Sequence, residues 1–240
     1  MAVESEVAAI YKKLGPWINR FKGSAPGGFI AAAIQHESGG RMDAPGDVSL
    51  SEAGYLQVTD SFPKSIGVSP DVRLDPEGNI WLGSLEYNLL AAQLKAWAPE
   101  LIKLGSPDNW KLARLSFAVG VSGTRTLIKN ATGMNPTFYG QVYPAIVAYV
   151  DRVGGLSLGS QSTEKVKARV HAVEDQWAIG TKLTPSWGKP QKVPSPSGLP
   201  YTISANLLPY LSSPMMVGSG ILILGGMAAI AYFVWKRTKE

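Results

Sequence analysis

The stretch Met215–Trp235 limits this chain more than any other: it carries no charged residue and is almost wholly apolar. A helix needs about 20 such residues to cross a bilayer. Inside lipid, a lone segment satisfies its backbone groups only by forming a helix. A buried core helix rarely stays apolar on every face for so long, so the sequence predicts one C-terminal transmembrane helix over 214–235. Lys236, Arg237 and Lys239 follow it. The positive-inside tendency places that basic tail, 236–240, in the cytoplasm and the rest of the chain on the other side. Gly218, Gly225 and Ala229 offer a face of small residues for self-association of membrane helices.

The other residues divide by composition. Residues 1–152 read as one compact domain. Residues 153–213 are rich in Gly, Ser, Pro and Lys and read as a linker. Within it, Val166, Val170, Val173 and Trp177, closed by Gly180, form a short amphipathic helix at about 163–179. It spans barely two heptads, too short for a coiled coil, and is expected to pack on its neighbour or to lie on a membrane. Prolines at 185, 190, 194, 196 and 200 predict an extended spacer. Glu4, Glu6, Lys12 and Lys13 interrupt any apolar run near the N-terminus, so no signal peptide is expected.

Several classes of chemistry find no support. The chain has no cysteine, hence no disulfide framework and no thiolate metal site. Its two histidines, His36 and His171, lie far apart in sequence. No metal and no cofactor are expected. The net charge of +5 is mild and no dense basic run accompanies it, so nucleic acid is not an expected partner. A modest positive charge suits an anionic wall or membrane surface.

The first domain reads as mainly α, with no series of strands and no internal repeat. Val7, Ile10 and Leu14 share one side of a helix over residues 5–14, which Gly15-Pro16 is expected to end. Ser24-Ala-Pro-Gly-Gly28 is a turn leading into a second helix. Arg41 to Ser51 reads as a loop. Asp75-Pro-Glu77 is a helix start, with a capping side chain, a proline in the first turn and negative charge at the positive end of the dipole. From there Ile80, Gly83, Tyr87, Leu90, Leu94 and Trp97 line one face. Gly83 in that stripe predicts a close neighbour, since a glycine otherwise weakens a helix. Further helices are expected over 109–119 and 137–151.

The chemistry centres on Glu37. It follows the small apolar run Phe29–Ile34 and precedes Ser38-Gly39-Gly40, which puts a carboxylate at the lip of a core. Acids in apolar surroundings serve as proton donors, because burial disfavours the charged form. Asp43, Asp47, Glu52 and Asp60 lie in polar loop sequence, where charge is solvated. Two further motifs follow in order, Ser51-Glu-Ala-Gly54-Tyr-Leu-Gln57 and Asp75-Pro-Glu-Gly-Asn79-Ile80-Trp-Leu-Gly83.

As an ordered set, over residues 25 to 150, these three motifs resemble the catalytic domain of the lytic transglycosylases, which cut the glycan strands of bacterial peptidoglycan. The resemblance implies the lysozyme-like helical fold of goose-type lysozymes and transglycosylases. It implies cleavage of the β-1,4 MurNAc–GlcNAc bond with formation of a 1,6-anhydro product. Glu37 would be the single general acid and base. Ser38, Ser51, Gly54, Gln57, Asn79 and Tyr143 would contact the glycan, Gly54 by letting backbone approach the sugar and Gln57 by hydrogen bonding near the acid. Ile80 and Gly83 would be architectural, and helix capping is an equal role for Asn79. Tyr139 and Tyr143 both fall where the family places a groove tyrosine, with a role in the core of the last helix as the alternative for each.

The fourth motif departs from the family. The usual Ala-Tyr-Asn-Ala-Gly is here Ser116-Phe117-Ala118-Val119-Gly120. Phe117 lacks the hydroxyl that the family's tyrosine places near the acid, and Ala118 replaces a substrate-binding asparagine. The layout of domain, spacer and membrane helix is similar to the muralytic enzymes of membrane-containing phages. That implies the internal membrane of a virion as location, with the bacterial cytoplasmic membrane as the alternative, and local wall opening during genome entry. Three other readings stay open. One is a hydrolysing muramidase, with Asp43 or Asp47 as second carboxylate. Another is a non-catalytic glycan-binding or structural membrane protein of the virion. The third is a wall-spanning conduit component, in which the membrane helix does the main work.

Overall fold

The computed structural model describes residues 2–156, 158, 161–189, 194 and 196. The membrane helix expected over 214–235, its basic tail and most of the proline-rich spacer lie outside the described residues. Among those residues no helix is long and apolar enough to cross a membrane.

The described chain is mainly α-helical, as its periodicity predicts. It has seven helices: α1 (Ala2–Phe21), α2 (Gly27–Ser38), α3 (Ser61–Ser65), α4 (Pro76–Trp97), α5 (Pro107–Thr132), α6 (Val142–Arg152) and α7 (Thr163–Leu183). No strand forms among the described residues; two isolated bridges, Ala53–Val58 and Leu158–Gln161, close turns.

The central element is α2. Residues Gly27 to Ile34 are all buried, which a run of glycine, alanine, phenylalanine and isoleucine permits on every face. It packs between α1 and α7. Its start is built for close approach. A Cβ on Gly28 would overlap the Gly180 carbonyl of α7, and a Cβ on Gly180 would overlap the Phe29 backbone. The Gly28 N–H donates to Thr184 Oγ1 at 2.6 Å. The helix ends at Gly39, a left-handed cap (φ 62°) that glycine adopts without strain.

The helix α1 runs through Gly15-Pro16 instead of ending there. Proline inside a helix removes a backbone bond and crowds the preceding turn. Here the stripe Val7, Ile10, Leu14, Ile18 and Phe21, all buried on one side, outweighs that penalty. Burial of Ile18 and Phe21 requires the helix to continue past the proline.

Capping signals fall where expected. Asp75 accepts from the Gly78 N–H at 2.8 Å and starts α4 with Pro76 in the first turn. Ser106 caps α5 in the same manner, ahead of Pro107. Sequence predicts a helix over 109–119; α5 covers it and continues, with a break at Gly120 (φ 78°, ψ 155°), a conformation open essentially to glycine alone. The helix expected over 137–151 begins only at Val142, because residues 136–141 form a 3₁₀ turn and a bend through Gly140 (φ 72°).

The amphipathic helix placed by sequence in the linker is α7, and it is part of the packed body. Val166, Val170 and Val173 are buried, and α7 lies against α2, α5 and α6. The helical body therefore extends past residue 152 to Leu183. Beyond it, residues 184–188 run back along the domain, where the Gly188 N–H donates to Ser24 O and its carbonyl accepts from Trp110 Nε1. This strap lies at the start of α2, the end opposite Glu37.

Candidate active site

Glu37 sits one residue before the C-terminal end of α2. Its side chain is 22% exposed, and its Oε1 accepts from Arg114 Nη2 of α5, whose side chain is only 1% exposed. This differs from the apolar lip expected from sequence, since a guanidinium stands where aliphatic carbon was foreseen. Arg114 Nε donates to Gln176 Oε1 of α7 at 2.8 Å. Three helices thus fix one carboxylate: α2 carries it, α5 supplies the charge partner, and α7 holds that partner from behind. Burial opposes the Arg114 charge, but nearby Tyr87 and Glu37 outweigh it and raise the guanidinium above its ordinary value.

Sequence reading missed Arg114. A signal was present: Trp110, Arg114 and Phe117 follow i, i+4, i+7 on the face of α5 that carries Trp110 into the core. A cation in such a stripe needs a buried partner.

Phe117 and Tyr87 complete the cluster. Their rings meet edge to face with centroids 5.0 Å apart, and the Arg114 guanidinium carbon lies 5.7 Å from the Phe117 centroid. Tyr87 is 2% exposed, and its hydroxyl has no hydrogen-bond partner among the described residues. Burial, first of all, pushes that phenol up, so it stays protonated; the charges of Arg114 and Glu37 both act on it. The backbone oxygen of Ala118 accepts from Arg169 of α7, so this part of α5 is tied to α7 as well.

The second and third motifs meet each other. Asn79 is wholly buried: its Oδ1 accepts from Leu56 N, and its Nδ2 donates to Ala53 O and Arg73 O, all at 2.9 Å. Gly54 (φ 79°) leaves room for that amide, which a Cβ would overlap. Gly83 admits Leu56, as the close neighbour expected from sequence. Asn79, Gly83 and Tyr87 are spaced i, i+4, i+8, so one ridge of α4 supports the 53–58 turn at one end and reaches the Glu37 cluster at the other.

The remaining residues expected to bind glycan divide. Gln57 is buried with a left-handed backbone (φ 49°), and its amide nitrogen donates to Gly54 O at 2.8 Å and Ala44 O at 3.4 Å, so it holds the loop that precedes it. Ser38 donates to Ile34 O within its own helix. Ser51 is exposed, and its carbonyl accepts from Arg73. Asn79 and Tyr143 lie in the core with their side-chain polar groups bonded inside the body. Tyr143 donates its hydroxyl to Val170 O at 2.9 Å. Asn79 thus braces the 53–56 turn, while the cap of α4 is Asp75, and Tyr143 lies in the core of the body. Tyr139 is 49% exposed.

Glu86 is a second carboxylate of interest, also missed. It is partly buried on α4 beside Tyr87 and has no hydrogen-bond or ion-pair partner among the described residues. Burial raises its carboxyl to about 8. Asp47, by contrast, accepts from the Ser49 hydroxyl and N–H, which lower it below the usual carboxylate range. Among the described residues no group of His, Asp and Glu has metal-binding geometry.

No family model matches the chain, and no curated protein does.

Proposed function

We propose that this chain is a membrane-anchored peptidoglycan lytic transglycosylase. The observation that carries the reading is Glu37: one carboxylate, open to solvent over a fifth of its surface, held at the end of a core helix by a buried guanidinium. A transglycosylase needs a single such group. As an acid it protonates the leaving glycosidic oxygen; as a base it then takes the proton from the sugar's 6-hydroxyl as that oxygen closes onto C1. No water is consumed, so no second carboxylate is required. The ordered motifs around Glu37, Gly54 to Gln57 and Asn79 to Gly83, support the same reading. The glycan strand is the substrate, the bilayer the anchor through 214–235, and a virion's internal membrane the proposed location, where the enzyme opens the wall during genome entry.

A hydrolase is the second reading, favoured by Glu86. Hydrolysis uses two carboxyl groups in contrasting surroundings, one to give a proton and one to activate water or attack. Glu86, raised by burial one residue before Tyr87 on α4, and Glu37 beside Arg114 offer that contrast.

Digestion of purified peptidoglycan by the full chain and by its Glu37→Gln variant, read by mass spectrometry, tests these readings. Products ending in 1,6-anhydro-muramic acid that vanish with Glu37→Gln are expected. Reducing-end products would favour the hydrolase. No cleavage by either protein would overturn both in favour of a glycan-binding or structural role.

A further inference from the structure

The Glu37 cluster contains more buried polar atoms than its hydrogen bonds satisfy. Tyr87 Oη, Arg114 Nη1 and Gln176 Nε2 are each buried without a partner among the described residues. Natural cores leave few such atoms, and each calls for an explanation. Two of the three residues, Arg114 and Gln176, belong to the chain of bonds that ends on Glu37, and Tyr87 lies within the field of both Arg114 and Glu37.

The chemistry of the cluster shows what is missing. Arg114 donates only; it has no acceptor. It can donate to Glu37 Oε1 in either protonation state, since a carboxylic acid keeps acceptor capacity, but it cannot accept from the acid's O–H. A neighbour able to donate and to accept serves both forms. A tyrosine hydroxyl does both. Phe117, the aromatic residue of α5 beside Arg114, has none, and the ring packed on its edge is Tyr87.

We propose that Tyr87 of α4 is a positioning residue for Glu37, its hydroxyl accepting from the carboxylic acid until that O–H turns to the glycosidic oxygen, and donating to the carboxylate once the proton has left. This rests on Glu37 being the acid and base of a transglycosylase. The hydroxyl is unbonded in this structure, and bonds of this kind commonly close only when substrate is bound. Its place is set by the α4 ridge that begins at Asn79 and Gly83, so the second and third motifs act on the acid through Tyr87.

The test compares the full chain with Tyr87→Phe, Phe117→Tyr and the double variant on intact peptidoglycan, measuring kcat and KM for release of anhydro products, with thermal midpoints alongside. Tyr87→Phe is expected to lower kcat roughly 10- to 100-fold, less than loss of the transferring group itself, with KM unchanged. Its thermal midpoint should hold or rise, because the hydroxyl lost had no partner. The double variant, with a hydroxyl restored on the neighbouring ring, should recover most of the rate. An unchanged kcat in Tyr87→Phe, with a wild type that depends on Glu37, overturns this inference alone. A lower kcat that comes with a lower midpoint and no rescue also overturns it, by assigning Tyr87 to the core. A wild type with no Glu37-dependent turnover overturns the transglycosylase reading, and this inference with it.

Discussion

Truncating Glu37 to alanine should unfold this domain more readily than its position near the surface implies. Arg114 is 1% exposed, and two of its three nitrogens are bonded, Nε to Gln176 and Nη2 to Glu37. Removing the carboxylate strands a buried cation. Breaking a buried pair in this way costs about 3–5 kcal/mol. Glu37 is itself 22% exposed, so water reaches the gap and the expected cost falls to about 2–4 kcal/mol. Glu37→Gln keeps an oxygen to accept from Nη2 and should cost only about 1 kcal/mol. Glu37→Ala combined with Arg114→Met removes both partners, and its cost should fall below the sum of the single losses by about 1–3 kcal/mol. Urea unfolding followed by circular dichroism measures this. With a slope of about 2–3 kcal/mol per molar, Glu37→Ala should lower the midpoint by roughly 1 M at constant slope. A midpoint within about 0.2 M of wild type, or strict additivity in the double variant, would refute the pairing and the picture of a carboxylate fixed by Arg114. Because the glutamine variant keeps the fold, it is the proper control for activity.

Other consequences follow from packing and burial. Gly180→Ala places a methyl against the Phe29 backbone, which cannot move aside as a side chain would; a loss of about 2–3 kcal/mol is expected, seen as a fall of roughly 4–10 °C in thermal midpoint, and a change under 1 °C would refute the close contact of α2 and α7. Glu86 carries a pH signature. Its folded carboxyl titrates near 8, above about 4.3 when unfolded, so folded and unfolded states are both protonated at low pH, and stability is lost progressively as pH rises from about 4.3 to about 8. Glu86→Gln should thus gain on wild type between pH 4 and pH 8.5, by about 1–3 kcal/mol once partial exposure is discounted, and parallel stability curves for the two proteins would contradict the burial of Glu86.

The local sequence determined much of this protein. Asp75-Pro76 and Ser106-Pro107 start α4 and α5 because capping and proline geometry act within four residues. The all-apolar run Phe29–Ile34 had to become a helix buried on every side, and Glu37 had to lie at its end. Gly83 announced a close neighbour before Leu56 was known to be it. Even the mistaken stop at Pro16 was a local rule, overruled by burial of Ile18 and Phe21. What surrounds Glu37 was of another kind. Arg114 is 77 residues away on α5, Gln176 is 62 further on in α7, and Tyr87 comes from α4. Periodicity reports that a face is buried, not which helix covers it, so these partners were hidden. For the same reason Asn79 and Tyr143 looked available for glycan, although the turn at 53–56 and the carbonyl of Val170 already occupy them. The helices were written in near neighbours; the cluster that holds Glu37 exists only because four of them converge, and burial, which sets its charges and leaves Tyr87 unbonded, is a property of that convergence alone.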